Sequence, residues 1–218
     1  MGQRIAIFGN GALGQAAMLA YEVDLVIRFN DCRSAGADAK RTDVVAVCNT
    51  GRPAKAMVLN AAWRESEAVR AAKEIYCVRP PERYERMRAS LAITHPELDD
   101  FCDDYTEAFE AFARETGKTF RTGSLELHQR LEDELTQLGA ANFVSPSSGL
   151  LLMADVLENR AQPGDDVVLG GFSHEGWDLH PWDAERRWVD AHAANGRLRR
   201  ADPFYPIPTY QEPEIHAL

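Results

Sequence analysis

The chain has 218 residues, a size that predicts one domain able to bury most of its unfolded surface without disulfides or a structural metal. Its composition, 45% apolar and 27% charged, is typical of a globular protein and excludes disordered, collagen-like and disulfide-scaffold classes. The excess of 34 acidic over 24 basic residues gives a net charge of −10, which disfavours nucleic acids and anionic membrane surfaces as partners.

The sequence also bears on location and on the state of the cysteines. It has no run of roughly 18 to 20 apolar residues, and its N-terminal apolar run meets a glycine turn too early for a signal peptide, so we expect a cytoplasmic protein with no transmembrane segment. The spacing of the four cysteines is not that of a zinc site, and we expect reduced thiols in or near the core: Cys32, Cys48, Cys77 and Cys102.

The first elements in chain order alternate between strands and turns. Apolar runs at residues 4–8, 25–27, 44–48 and 75–78 predict four strands, and an alanine-rich stretch ending at Tyr21 predicts a helix between the first two. The runs are nearly continuous rather than alternating. This pattern is typical of parallel strands that are covered on both faces.

The pattern becomes helical between residues 96 and 139. An apolar stripe recurs at steps of three and four residues: Leu98, Phe101, Tyr105, Phe109 and Phe112. A second helix is predicted at about 125–138, with Ser124 as its N-cap. We interpret 96–139 as a helical insertion, serving either as a lid over an acceptor or as an interface of a homo-oligomer.

The last third returns to the strand and helix alternation. An apolar helix is predicted from Leu150 to about Asn159, then a strand at 167–169 and a helix near 183–194. The predicted fold is therefore α/β, a single domain over residues 1–218. It has a Rossmann-like, doubly wound, mostly parallel sheet with the helical insertion at about 96–139.

A glycine motif, Gly9-x-Gly11-x-x-Gly14, follows the first predicted strand and precedes a predicted helix. This arrangement matches the dinucleotide fingerprint, in which backbone N–H groups bind a phosphate. Arg28 lies where an NADP-dependent enzyme keeps a basic residue for the ribose phosphate, so an NADP-dependent oxidoreductase is one alternative. The other is that the glycines only permit a tight turn and close packing.

Two further segments carry groups suited to a ligand. Pro146-Ser147-Ser148-Gly149 precedes an apolar helix, where free N–H groups favour an anion, although a simple N-cap explains the pattern equally well. His174 and His180 lie just beyond the strand at 167–169, at the sheet edge where α/β proteins bind ligands. A neutral imidazole can remove a proton from a hydroxyl, and a protonated His174 could hold a phosphate.

These segments resemble, in the same chain order, the motifs of the sialyltransferase superfamily, glycosyltransferase family 29. The first turn followed by D-L-V-I-R-F-N at 24–30 is similar to the large sialyl motif. P-S-S-G at 146–149, with V-L-G-G-F at 168–172, is similar to the small motif. H-P-W-D-A-E at 180–185 matches the very small motif, H-x-x-x-x-E.

The chain also departs from the animal members of that family. It has neither their disulfide between the large and small motifs nor a clear third motif, for which His174 is only a positional substitute. The compact size is similar to bacterial relatives that are labelled urease operon accessory proteins, a label that describes gene neighbourhood.

The resemblance implies a GT-A-like variant of the fold and an inverting glycosyltransferase. Such an enzyme would transfer sialic acid, Kdo or a related ulosonic acid from a CMP-sugar to a glycan acceptor, releasing CMP. It would have His180 as general base, Glu185 as support for the local helix or for the imidazole, and His174 near the phosphate. The implied nucleotide-binding residues are Gly9, Asn10, Gly11, Asn30, Ser147, Ser148, Gly149, Gly171 and Phe172.

Two alternatives to the transferase stay open: the NADP-dependent oxidoreductase and a non-catalytic, nucleotide-binding accessory protein that retains the fold. No cofactor and no metal requirement is expected, because no D-x-D motif stands at a strand end. Trp177 and Trp182 are suited either to stacking on a sugar or to packing.

Overall fold

A computed structural model describes residues 2–36 and 41–201. In this part of the chain, seven strands form one sheet and every strand pair is parallel. The strands are β1 (Arg4–Phe8), β2 (Leu25–Phe29), β3 (Val44–Val47), β4 (Glu74–Cys77), β5 (Thr119–Thr122), β6 (Asp166–Gly170) and β7 (Arg199–Arg200).

The strand order across the sheet is β5-β4-β3-β2-β1-β6-β7. The chain runs outward from β1 to β5 on one side and then returns to β6 on the other side of β1. The direction of winding therefore reverses between β1 and β6, and ligands of doubly wound sheets bind at the carboxyl ends of the strands at such a reversal. The predicted α/β, Rossmann-like class is confirmed.

Eight α-helices connect the described strands. They are α1 (Gly51–Leu59), α2 (Ala61–Glu65), α3 (Glu67–Ala71), α4 (Pro81–Thr94), α5 (Thr106–Glu115), α6 (Leu125–Gln137), α7 (Ser148–Asp155) and α8 (Trp182–Ala194). Ser124 caps α6 as predicted, because its side chain accepts from the backbone N–H of Leu127. A π-helical turn, Val156–Arg160, extends α7.

The core lies on both faces of the sheet because alternate strand residues point to opposite sides. Ile5 and Ile7 pack on one face against α6, α7 and α8, whereas Val45 and Val47 face α1, α2, α3 and α5 on the other. Helix α7 is buried on all sides, which its uninterrupted apolar sequence predicts. All four cysteines are buried, free thiols, as predicted.

The first connection differs from its prediction. The segment after the glycine motif, Gly14–Tyr21, is a 3₁₀ helix rather than an α-helix. It begins with Gly14 at a φ of +54°, a conformation that favours glycine. Its alanines and Leu19 cover one face of β1 and β2.

The segment 96–139 is not purely helical, which corrects the predicted helical insertion. It contributes strand β5, which pairs with β4, and its two helices pack into the main core clusters. The predicted apolar stripe is also divided. Phe109 and Phe112 lie on α5 beside Trp63, while Leu98 and Phe101 precede that helix and pack near Tyr84, in a different cluster.

Candidate functional site

A pocket of about 270 Å³ lies at the carboxyl ends of β1 and β6, where the winding reverses. We call it the glycine pocket. All nine residues predicted to bind a nucleotide line it, together with His174 and Trp182. They come from four separate segments, and the parallel sheet brings them together because the carboxyl ends of its strands meet at one edge.

The backbone of the glycine turn is largely used by the fold itself. The N–H groups of Gly9 and Gly11 donate to the carbonyl oxygens of Gly170 and Gly171, at 2.8 and 3.1 Å. A Cβ on Gly9 would lie 2.4 Å from the Gly171 oxygen, so the glycine permits close approach of two chain segments. These two N–H groups are therefore not free to bind a phosphate.

The two asparagines of the pocket differ in how their side-chain oxygens are bonded. The side-chain oxygen of Asn10 is buried and has no hydrogen-bond partner in the part of the chain that the structure describes. Asn30 follows β2 at a φ of +52°, and its side-chain oxygen accepts from the N–H of Cys48 at 2.9 Å. That bond orients its amide, and a ligand could pair with the Asn10 oxygen.

Helix α7 begins at the pocket with two free donors. Ser147 caps the helix, with its hydroxyl accepting from the N–H of Leu150 at 3.1 Å. The N–H groups of Ser148 and Gly149 have no acceptor within residues 2–36 and 41–201. A helix N-terminus with open N–H groups is suited to an anion.

Glu185 lies behind this helix terminus and does not contact His180. Its two carboxylate oxygens accept from the N–H and the hydroxyl of Ser147, at 2.7 and 2.6 Å. The residue is 1% exposed, and burial raises its pKa to about 7, against the lowering effect of the two Ser147 hydrogen bonds. Glu185 therefore ties α8 to the start of α7, which agrees with the predicted support of the local helix, and neither of these hydrogen bonds runs to His180.

His180 faces a second, adjoining pocket of about 410 Å³. Its Nδ1 donates to the carbonyl oxygen of Ser145 at 2.7 Å, so Nε2 is an unprotonated acceptor in the neutral ring. Burial lowers the pKa of His180 to about 4, although the Ser145 bond opposes this, and the charge of Arg79 lowers it further. The imidazole is neutral at pH 7.

His174 is also neutral, which argues against the predicted role of a protonated phosphate ligand. Its Nε2 accepts from Arg200 at 3.0 Å, since an arginine can only donate. Burial, together with the charges of Arg200 and Arg186, lowers the pKa of His174 to about 4. The residue serves to attach β7 to the loop after β6.

The second pocket contains residues that the sequence analysis did not single out. We call it the arginine pocket, after Arg79 at the end of β4; Asn30 and Ser148 line both pockets. Arg79 is 4% exposed, and its guanidinium lies over the rings of Tyr84 and Phe101, 4.8 and 4.7 Å from their centroids. Arg79 directly follows the apolar run at residues 75–78, and a basic residue in that position is a sequence pattern from which it could have been predicted to lie at the site.

The two tryptophans beyond β6 pack against neighbouring rings. Trp177 stacks on Phe101 with a centroid separation of 5.3 Å, and the indole N–H of Trp182 donates to the carbonyl oxygen of Trp177. Both rings also meet His180 edge-on. Trp177 lines the arginine pocket and Trp182 the glycine pocket, so each combines packing with contact to a cavity.

Arg28 does not bind a cofactor phosphate. It is fully buried, lies over the ring of Phe8 at 4.8 Å and donates to the hydroxyl of Ser34 at 2.9 Å. Arg28 also does not line the glycine pocket, so its position gives no support to the NADP-dependent alternative.

Comparison with solved structures supports the fold. The crystal structure of the sialyltransferase CST-II in complex with CMP matches with a TM-score of 0.52 and 12% identity, covering 93% of this chain and 83% of that one. A mammalian sialyltransferase gives a TM-score of 0.49 and 15% identity, covering 92% of this chain and 69% of that one. At this level of identity the likeness concerns the fold alone.

Comparison with known sequences is more specific. No protein-family model matches the chain. The urease operon 23 kDa accessory protein of Rhizobium meliloti is 54% identical over 204 residues, which cover 93% of this chain and 94% of that protein. The chain belongs to the family of this accessory protein.

Membership of the accessory-protein family corrects the predicted activity. The expectation of an inverting, CMP-sugar-dependent glycosyltransferase is wrong, because the close relative is named an accessory protein and the sialyltransferase likeness extends only to the fold. The predicted glycan acceptor is withdrawn with it. Membership in glycosyltransferase family 29 stays a prediction.

A metal site and a membrane span both have requirements that the described residues do not meet. Within residues 2–36 and 41–201, no group of three or more His, Cys, Asp or Glu side chains could hold a metal ion. No helix in the described ranges is long and apolar enough to span a membrane.

Proposed function

We propose that this protein is a non-catalytic, nucleotide-binding accessory protein. The observation that carries the proposal is the glycine pocket, in which all nine predicted nucleotide-binding residues meet at the reversal of the sheet. The accessory role rests on the family membership. Its partners are then proteins of the urease operon to which the relative's name refers, rather than glycans.

The polar groups left open in the pocket suit a nucleotide. The N–H groups of Ser148 and Gly149 are placed to donate to a phosphate at the N-terminus of α7. The buried oxygen of Asn10 is placed to accept from a ribose hydroxyl or a base amine. Among the residues that the structure describes, no arginine or lysine lines the glycine pocket, so the helix terminus and the amides supply the attraction.

The positions and hydrogen bonds of the three predicted catalytic side chains favour a non-catalytic role. Glu185 is engaged by Ser147, and His174 by Arg200. His180 lines the arginine pocket but not the glycine pocket. Two of the three side chains therefore have structural roles, and the third lies outside the pocket that would hold the nucleotide.

Titration calorimetry with CMP tests the proposed nucleotide site. Ser148→Pro removes one free N–H at the first residue of α7, where proline is well tolerated, and Ser147 already has the extended backbone that a following proline requires. A charge-assisted hydrogen bond contributes about 1.5 to 3 kcal/mol, so the variant should bind CMP about 10-fold more weakly or worse.

Ala61→Pro, at the first residue of the exposed helix α2, is the matched control and should leave CMP binding unchanged. Failure of the unaltered protein to bind CMP, or equal binding by Ser148→Pro, would contradict the nucleotide site. Incubation with CMP-sialic acid tests the second half of the proposal. We expect no release of CMP above the rate in buffer, and turnover would refute the non-catalytic role.

A further inference from the structure

Arg79 is a buried cation without an acidic partner. It is 4% exposed, and no carboxylate of the described residues forms an ion pair with it. Its one hydrogen bond as a side-chain donor runs from Nη1 to the hydroxyl of Thr50 at 2.6 Å. Burial of a charge is costly unless hydrogen bonds and an opposite charge compensate it. An unpaired, buried guanidinium that lines a cavity is therefore suited to binding an anion.

One terminal nitrogen of the guanidinium, Nη2, is unused, since no described residue accepts from it. Nε also lacks a partner, but it is closed off from solvent, so a ligand in the pocket meets the guanidinium at Nη2 rather than at Nε. Elsewhere in this protein, the guanidinium groups of Arg83 and Arg199 bind the carboxylates of Glu132 and Asp166.

The acidic residue nearest the entrance does not compensate Arg79. Asp100 lines the arginine pocket, but its carboxylate pairs with the exposed Arg52 at 2.8 Å. The rings of Tyr84 and Phe101 stabilise the cation but supply no negative charge. The pocket volume of about 410 Å³ is within the usual range for a small-molecule site.

We propose that the arginine pocket binds a small organic molecule through a carboxylate that accepts a hydrogen bond from Nη2 of Arg79. A hydrogen bond between a guanidinium and a carboxylate is stronger than one between neutral groups because both partners are charged. The Nε2 of His180 and the stacked rings of Trp177 and Phe101 then face the body of the molecule. This site is separate from the proposed nucleotide function and does not depend on it.

Calorimetric titration with pyruvate, malonate and inorganic phosphate, each up to about 20 mM, tests the site over the range expected for a single ionic anchor. At least one of the two carboxylates should bind saturably and more tightly than phosphate. Arg79→Met should weaken that binding on the order of 30-fold, the loss of hydrogen bonds to a charged group. Arg52→Met, the same substitution at an exposed arginine of the same pocket, should change it less than 3-fold, since Arg52 is already paired.

Arg79→Lys tests the same site if Arg79→Met does not fold. This variant retains the positive charge but not the planar guanidinium donor, and we expect its affinity for the carboxylate to fall about 10-fold or more. CMP titration of the same variants should be unchanged, which separates this proposal from the nucleotide site. Absence of carboxylate binding, preference for phosphate, or unchanged affinity in Arg79→Lys would overturn the proposal.

Discussion

Glu185 shows how one buried carboxyl group affects the stability of this protein. Its two oxygens accept only from Ser147, and the described part of the chain provides no basic residue paired with it. Because burial raises its pKa from 4.5 to about 7, the folded state favours the protonated form more than the unfolded state does.

The pH dependence follows from this direction. Stability from Glu185 is fully present below the unfolded pKa of 4.5 and is lost as the pH rises through about 7. The free energy of unfolding of the unaltered protein, minus that of Glu185→Gln, should therefore decrease by about 3 kcal/mol as the pH rises from 4.5 to about 7, and should stay level at higher pH. Denaturant titrations at a series of pH values measure this difference.

Glu126→Gln, at an exposed glutamate in the first turn of α6, is the control for the substitution itself. Taking the difference between two proteins removes the contribution of His174 and His180, which both contain. A difference that rises with pH would show that the carboxylate is stabilised in the folded state and that our account of its environment is wrong.

At the scale of elements, the contact between the turns after β1 and β6 determines the shape of the glycine pocket. The chain segments at Gly9 and Gly171 approach so closely that a Cβ on Gly9 would lie 2.4 Å from a backbone oxygen. The two segments are also joined by backbone hydrogen bonds from Gly9 and Gly11. A methyl group at this position must move one strand end away from the other.

Gly9→Ala should therefore lower the free energy of unfolding by about 2 to 3 kcal/mol, the cost of overpacking a site that cannot relax. Gly117→Ala is the control, since Gly117 has a φ of +69° and open space around it. There only the backbone strain of about 1 kcal/mol applies. Equal losses in the two variants, measured by chemical denaturation, would show that the strand ends separate easily.

At the scale of the whole molecule, the two pockets lie on one edge of the sheet but over different strands. The glycine pocket lies at the ends of β1 and β6, while the arginine pocket extends over the ends of β3 and β4. Asn30 and Ser148 line both, so occupants of the two pockets would be neighbours.

Hydrogen exchange should distinguish the two occupants. CMP at about 100 times its dissociation constant stabilises the protein by about 2.7 kcal/mol, and the amides of locally opening segments near the ligand should be slowed most. We expect this for residues 9–11 and 148–149 with CMP, and for residues 50–52 and 79 with a carboxylate. Slowing confined to β5, at the far edge of the sheet, would contradict both placements.

The central strands and most residues of the glycine pocket could be predicted from the amino-acid sequence. Continuous apolar runs could be read as buried parallel strands, and the residues that follow such strands necessarily meet at one edge. The edge strands β5 and β7 escaped prediction because their residues are largely exposed and show no apolar run. The motifs also suggested a transferase, which the accessory-protein relative contradicts.

Which polar groups of the site remain free depends on the tertiary structure and could not be predicted from the sequence. The N–H groups of Gly9 and Gly11 are used by residues about 160 positions away, which no local pattern reveals. His174 is kept neutral in part by Arg200, and Nη2 of Arg79 is left without an acceptor among the described residues. Hydrogen bonding, burial and charge depend on contacts between distant segments, and these arise only when the chain folds.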